Sequence, residues 1–230
     1  PQPQLLPPLS CASPGRFIRF RFCPDLFESH ATNIATEEME GFPIIELKST
    51  RLYGWGKIWK RAFDIAASIL GLIHASPFFF LVPIVIHLTA PGDRAIIGLT
   101  RVRKNKTFRL YKFRSMIPNA HGLKAQLQQF NERKDGPMFK MKNDPRVTPF
   151  GRFLRKSRID ELPQLINVLK GDMSIVGPRP HEPEEVARYE SHERKLLAIT
   201  HGINGIAHVH GASDLSFAEA VRLDTYYIQN

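Results

Sequence analysis

Asp160 and Glu161 stand side by side in SRIDELPQLIN, residues 157–167. Arg152, Arg155, Lys156 and Arg158 precede them, and Arg179 follows within GPRP. An ionised aspartate can attack phosphorus and carry an acyl phosphate. A second carboxylate can hold Mg2+, which screens the phosphate charge that would repel the nucleophile. Forked arginine donors match a pyrophosphate. One carboxylate of the Asp160-Glu161 pair can attack while the other holds a metal or water, with Arg155, Arg158 and Arg179 as phosphate-binding candidates. On local sequence alone, a solvated helix start with acids near its N-terminus is the commoner reading of the pair, and surface ion pairs the commoner reading of Arg155 or Arg158. Adjacent helical positions point about 100° apart, so the pair forms no simple clamp on one ion. The basic surround is expected to depress both carboxyl pKa values. Two prolines fix the backbone around Arg179 and present its side chain at little entropic cost. An exposed arginine on a structural turn is the equal alternative.

A second cluster, His201, His208 and His210, lies in HGINGIAHVHG. His208 and His210 share one face if the segment is a strand. No paired cysteines or HExxH spacing accompany them, so the glycines read better as shaping a substrate loop than the histidines as a zinc site. The sequence also holds no P-loop, dinucleotide-binding glycine fingerprint or GxSxG.

The elements that must position these groups follow from composition shifts. Residues 1–52 read as a partly disordered N-terminal extension: PQPQLLPPLSCASPG is Pro-rich, RFIRFRF alternates like a strand or a basic membrane-surface segment, and TEEMEG looks like an acidic turn. From 53 to 91 the chain is a membrane-associated segment. Trp55, Lys57, Trp59, Lys60 and Arg61 are interfacial anchor types, and residues 62–90 are almost wholly apolar. Pro77 and Pro83 interrupt the run, and Ser76 can bond a carbonyl freed by a bend. A break at Ser76 and Pro77 would give arms of about 27 Å and 20 Å that enter and leave by one face. A single kinked span is the alternative. Basic residues flank both sides of the run, with Arg94, Arg101, Arg103 and Lys104 after it, and this symmetry favours the hairpin.

Residues 92–230 read as a cytoplasmic catalytic domain. RAIIGLTRV and TFRLYKFRS predict a strand hairpin. NAHGLKAQLQQFNERKDG predicts a polar helix ending at Gly136, and EPEEVARYESHERKLLAIT a charged amphipathic helix. DPRVTPFGRFLRKSRIDELPQLINVLKGD predicts two helical pieces, with Pro149 and Pro163 in first turns and Gly171 as a C-cap. SIVGPRP predicts a short strand and turn; SDLSFAEAVRLDTYYIQN predicts a last helix capped by Ser213 or Ser216. The amphipathic FGRFLRK before the acid pair suits a membrane interface.

The chain has a net charge of +10 and two cysteines, Cys11 and Cys23, outside any metal-spacing pattern. Such a balance seeks polyanions, while the cysteine usage fits a reducing compartment. Nucleic-acid binding has only this charge behind it and leaves the apolar run unexplained. The first residue is Pro1, which reads as a fragment or processed form.

YKFRSM, then DPRVTPFGRFLRKSRIDELPQLINVLKGDMSIVGPRP, then DLSFAEAVRLDTYYIQN resemble the bacterial sugar transferase family, the monotopic polyprenol-phosphate hexose-1-phosphate transferases. KRAFD and the apolar run with Ser76 and Pro77 resemble it too, so the similarity covers about residues 57–230. The resemblance implies an α/β fold: a small, mostly helical catalytic region with short strands, a re-entrant membrane helix broken at Ser-Pro, and interfacial amphipathic helices. It implies transfer of sugar-1-phosphate from a UDP-sugar to polyprenyl (undecaprenyl) phosphate, with UMP released. This would be the first step of exopolysaccharide or glycoconjugate assembly. Asp160 would form a phospho-Asp intermediate, Mg2+ would sit with Glu161, and Arg155 and Arg179 would hold phosphate. Lys112 and Arg114 of YKFRSM join Arg158 as further phosphate-binding candidates. The implied location is the bacterial inner membrane, with the catalytic region facing the cytoplasm among membrane lipids; the reading allows a homo-oligomer. The chain departs from the family in a short RVRKNKTF turn, in THGING at 200–205, in Ala212 where an arginine is usual, and in lacking the segment that usually follows YYIQN. These departures leave a second expectation standing: a catalytically impaired homologue that serves as a membrane-bound scaffold in glycan assembly.

Overall fold

A computed structural model describes residues 33–39, 42–48, 55–103, 106–133, 135–190, 193–211 and 215–229. Two antiparallel strands, β1 (Asn33–Met39) and β2 (Phe42–Lys48), precede the long apolar helix. The acidic stretch expected to turn is thus mostly strand β1. PQPQLLPPLSCASPG and RFIRFRF lie outside the described residues.

The apolar run is one helix, α1 (Trp55–Thr89), with Pro77 and Pro83 inside it. Its 35 residues extend about 52 Å at about 1.5 Å per residue. Helical backbone continues through Ser76 and Pro77, so the expected division into two separate arms gives way to one element. The chemistry at the proline is nonetheless as expected. Pro77 has no N–H for the Ile73 carbonyl, and the Ser76 hydroxyl donates to that oxygen at 2.8 Å instead. Asp64, Ser68, Ala75, Val82 and Ile86 are buried along one stripe at helical spacing. Phe63, Leu70, Ile73, Phe80, Leu81 and Leu88 stay exposed elsewhere on the helix. A soluble helix would cover one apolar face and present polar residues on the other. Here both faces are apolar, and the exposed one suits lipid.

Strands β3 (Ile96–Arg103) and β4 (Lys106–Phe113) form the predicted hairpin. Of the predicted polar helix, only α2 (Lys124–Leu127) and a 3-10 turn, Gln128–Phe130, form. Asn131 ends it: its side-chain oxygen accepts from the Arg133 and Lys140 backbones and its amide donates to the Met138 carbonyl. These bonds give the backbone a local alternative to helix.

The two helical pieces around the acid pair are present as α3 (Pro149–Lys156) and α4 (Gln164–Lys170). Thr148 caps α3 by accepting from the Gly151 N–H, Pro149 fills its first turn, and Gly171 caps α4 at φ 84°. A side chain at Gly151 would meet the Ser115 carbonyl at 1.9 Å, so only glycine fits that crossing. Strand β5 (Ser174–Val176) pairs in parallel with β6 (Gly202–Asn204). Between them, the expected charged helix is reduced to α5 (Pro183–Val186) and a 3-10 stretch, Glu193–Ala198. Each piece is closed by its own acid: Glu185 accepts from the Glu182 N–H, and Glu193 accepts from the Glu190 N–H. Helices α6 (Ile206–Val209) and α7 (Phe217–Gln229) follow. Ser216 caps α7 through a reciprocal bond with Glu219; Ser213, the other cap candidate, lies outside the described residues.

Core contacts tie α1 to the rest. Phe79, Val82 and Ile86 pack with Ala95, Phe113 and Leu154. Farther back on the helix, Arg61 donates to the Val168 and Leu169 carbonyls at the end of α4, at 2.6 and 2.8 Å. Asp64 accepts from the Ser174 hydroxyl and the Ile175 N–H, both at 3.0 Å.

Candidate active site

Alternation along β4 sets the first wall. Leu110 and Lys112 point to one side, and the register brings Arg101 of β3, opposite Phe108, to that same face. The acid pair is brought against this wall by Asn167, which is fully buried. Its side-chain oxygen accepts from the Tyr111 N–H at 2.9 Å and its amide donates to the Arg109 carbonyl at 2.7 Å. Asn167 thus pairs with the free edge of β4 as a strand would and fixes α4 relative to Lys112.

Asp160 and Glu161 occupy a 3-10 turn, Ile159–Glu161, between α3 and α4. Arg158 precedes it in the left-handed region, at φ 60°. That conformation costs a branched or bulky residue on the order of 1 kcal/mol, and such strain gathers at functional sites. It ends α3, sends Ile159 and Leu162 into the core and turns Asp160 inward. Asp160 is only 5 % exposed.

Lys112 joins the two carboxylates. Its ammonium lies 2.7 Å from Glu161 Oε1 and 3.6 Å from Asp160 Oδ2. The Arg158 guanidinium is 3.8 Å from Glu161 Oε1. Among the described residues, Glu161 has a hydrogen bond from Lys112, and no hydrogen bond reaches the Asp160 carboxylate. The two acids separate accordingly. Burial pushes the Asp160 carboxyl above its ordinary value, and the Glu161 charge adds to this against the pull of Lys112, Arg155 and Arg158. Burial pushes Glu161 up as well, but Lys112 and its hydrogen bond, Arg179 and Arg158 outweigh it and leave the carboxyl low. The expectation that both would be depressed is corrected for Asp160, because desolvation there exceeds the attraction of the cations. Burial also lowers the Lys112 pKa, partly offset by the charge of Glu161.

A small, solvent-open cleft lies beside the pair. Lys112, Glu161 and Arg179 line it, together with Arg101, Gln164 and His208. The structure therefore brings Lys112, Glu161 and Arg179 to one cleft, with Asp160 behind its edge and Arg158 at 3.8 Å from Glu161. Arg155 sits apart from the cleft wall, where its Nε donates to the Ser115 hydroxyl at 2.9 Å; Asp160 and Asp144 are the nearest acids acting on it. Arg114 is placed differently from the other phosphate-binding candidates. It is buried and donates to the Ala90 carbonyl at the end of α1, fastening the helix to β4.

Sequence reasoning passed over Arg101 and Gln164 as cleft residues, and weighed His208 only as a zinc ligand or part of a substrate loop. Strand alternation pointed to Arg101, whereas nothing local marked Gln164. His208 and His210 are not on a strand face: α6 carries His208, half-buried at the cleft, and His210 is its exposed C-cap residue. Arg101 is held by Glu182 at 2.9 Å, and Glu182 also accepts from Lys124. His201 is buried, and desolvation lowers its pKa to about 4. Ala212 lies outside the described residues.

No group of three or more His, Cys, Asp or Glu side chains suited to a metal occurs among the described residues. Mg2+ commonly binds through one or two carboxylates plus substrate phosphates, and Glu161 at the cleft edge fits that pattern.

The sequence model of a family described as bacterial sugar transferase matches residues 55–230. The chain is 41% identical over 196 residues to the galactosyl transferase CpsE of Streptococcus agalactiae, covering 84% of this chain and 42% of that protein. It is 43% identical over 178 residues to the undecaprenyl-phosphate galactose phosphotransferase of Salmonella typhimurium, covering 74% and 36% respectively. It is 39% identical over 182 residues to the exopolysaccharide production protein ExoY of Sinorhizobium fredii, covering 76% and 79%. The chain thus spans about two fifths of the length of the first two relatives and about four fifths of the third.

Proposed function

This chain belongs to the bacterial sugar transferase family, and on that premise we propose that it transfers a sugar-1-phosphate from a UDP-sugar to a polyprenyl phosphate at a membrane face. The observation that carries the reading is the state of Asp160: buried, without a hydrogen bond to its carboxylate among the described residues, and 3.6 Å from Lys112, which lines a cationic cleft. A carboxylate left without donors keeps its lone pairs for an incoming phosphorus.

In the first step an Asp160 carboxylate oxygen attacks the β-phosphorus. The bond from that phosphorus to the bridging oxygen breaks, and its electron pair leaves with UMP. In the second step a lipid phosphate oxygen attacks the same phosphorus. The bond to Asp160 breaks, and the carboxylate is regenerated. Lys112 and Arg179 offset the charge of the pyrophosphate, and Arg101 adds a third cation to the cleft. Glu161 would hold Mg2+ with the donor phosphates, and the ion would neutralise charge on the leaving group.

We place the protein on the bacterial inner membrane as a monotopic enzyme facing the cytoplasm. Support comes from the two ends of α1, the one helix among the described residues long and apolar enough to cross a membrane. Arg61 is bound to the end of α4, and Ala90 to Arg114. A transmembrane passage would carry these ends to opposite faces, yet both hold the same body. A re-entrant or interfacial course keeps both ends on one side. Phe153 of α3, exposed beside Arg152 and Lys156, suits the same interface.

The test is UMP release by full-length protein in lipid nanodiscs, with a polyprenyl phosphate, Mg2+ and a panel of UDP-sugars. Turnover with a trappable sugar phosphate on Asp160 is expected. Absence of turnover in folded, membrane-bound protein refutes the enzymatic reading and leaves the scaffold.

A further inference from the structure

We infer that His208 contacts the nucleotide half of the donor, on the side of the cleft from which UMP departs. The inference rests on the phosphotransfer reading above. His208 lines the cleft with Lys112, Glu161 and Arg179. Glu161 lines the cleft with it, and Asp160 does not. His208 therefore shares the cleft wall with Glu161 rather than with Asp160. Attack by Asp160 places the leaving oxygen roughly in line with, and opposite to, the attacking one. The departing nucleotide then lies away from Asp160, where His208 waits.

The ring suits that role. Burial, with the nearby arginines, lowers its pKa, so at neutral pH the imidazole is uncharged and offers one N–H donor and one acceptor. Its carrier is fixed. The Val209 N–H donates to the Gly205 carbonyl at 3.1 Å, and a side chain at Gly205 would meet the Gly177 carbonyl at 2.6 Å. His210, on the same turn, instead keeps its Nδ1 3.0 Å from the Ile206 carbonyl and remains exposed. It serves as a control on the integrity of α6.

The experiment measures product inhibition by UMP during transfer of labelled sugar phosphate to the lipid, in nanodiscs. His208→Ala is expected to weaken UMP inhibition about tenfold to hundredfold, the loss of one hydrogen bond to a charged group. It should leave the ratio of kcat/KM for UDP-glucose over UDP-galactose unchanged. His208→Asn should recover part of the loss, and His210→Ala should match the wild type. Unchanged UMP inhibition in His208→Ala overturns the inference, as does an equal loss in His210→Ala. A changed sugar ratio with unchanged UMP inhibition would assign the residue to the sugar instead and also overturn it. If the wild type shows no turnover, the phosphotransfer reading fails, while calorimetric titration of UMP still decides the role of His208.

Discussion

Two of the buried aspartates among the described residues, Asp64 at 3 % exposure and Asp160 at 5 %, are covered to nearly the same degree. Asp64 accepts two hydrogen bonds and fastens the polar half of α1 to β5. Asp160 accepts none among the described residues and has only Lys112 within ion-pair range. A third acid, Asp144, makes the contrast sharper. The Arg146 guanidinium grips it with both oxygens engaged, at 2.7 Å at the closest, and holds its pKa low. Burying a carboxylate is costly unless its lone pairs are filled. Asp64 and Asp144 meet that cost with bonds and serve structure. Asp160 has the Lys112 ion pair at 3.6 Å in place of such bonds.

The largest effect expected is on catalysis. Asp160→Asn should reduce sugar-phosphate transfer by about 10³-fold or more and leave the thermal midpoint at or above that of the wild type. A drop in stability instead would show that Asp160 is a structural acid like Asp64. Next, Asp64→Ala should destabilise the chain by about 2 kcal/mol, because the part-buried Ile175 N–H loses its partner while the Ser174 hydroxyl keeps the Val176 carbonyl. Activity per folded molecule should persist, as read by turnover normalised to denaturant midpoint.

A smaller effect is expected at Asp224, buried in α7 and bonded to the Ala207 N–H. Burial raises its carboxyl to about 6 from an ordinary value near 3.8. Between those pH values the folded chain binds more protons than the unfolded one, so stability falls as pH rises through the window and stays lower above it. Asp224→Asn should flatten this profile and gain about 2 kcal/mol above pH 6. Equal pH profiles for variant and wild type would contradict this. The smallest change is a shift in the pH dependence of kcat/KM. Its acid limb should lie above the ordinary aspartate value, since the nucleophile must be ionised and burial holds its proton on. Lys112→Met removes the nearest cation and should move that limb further up; a limb that stays put would uncouple Lys112 from Asp160.

Much of the framework was legible because its signals are local. Pro149, Pro163 and Gly171 marked the ends of the helices around the acid pair, and alternation marked β3 and β4. The polar stretches 119–136 and 182–200 misled. In the first, the Asn131 side chain offers the backbone a local alternative to helix. The second, among the described residues, holds only short helical pieces, each with a first-turn acid bonded back to the N–H three residues earlier. Arg61 read as an interfacial anchor and Arg114 as a phosphate ligand. Both guanidinium groups also bind backbone carbonyls across the α1 contact, at Leu169 and Ala90. Contacts separated by 108 and 24 residues leave no periodic trace.

The sequence alone determined which chemistry was available: an Asp-Glu pair among arginines, a long apolar run with Ser76 before Pro77, and the family that combines them. Only tertiary structure decided how deeply each acid is buried and what surrounds it. The pKa of a carboxyl depends on burial and on charges contributed by distant segments. Lys112 from β4, Arg179 after β5 and His208 from α6 meet at one cleft solely because the chain folds them there.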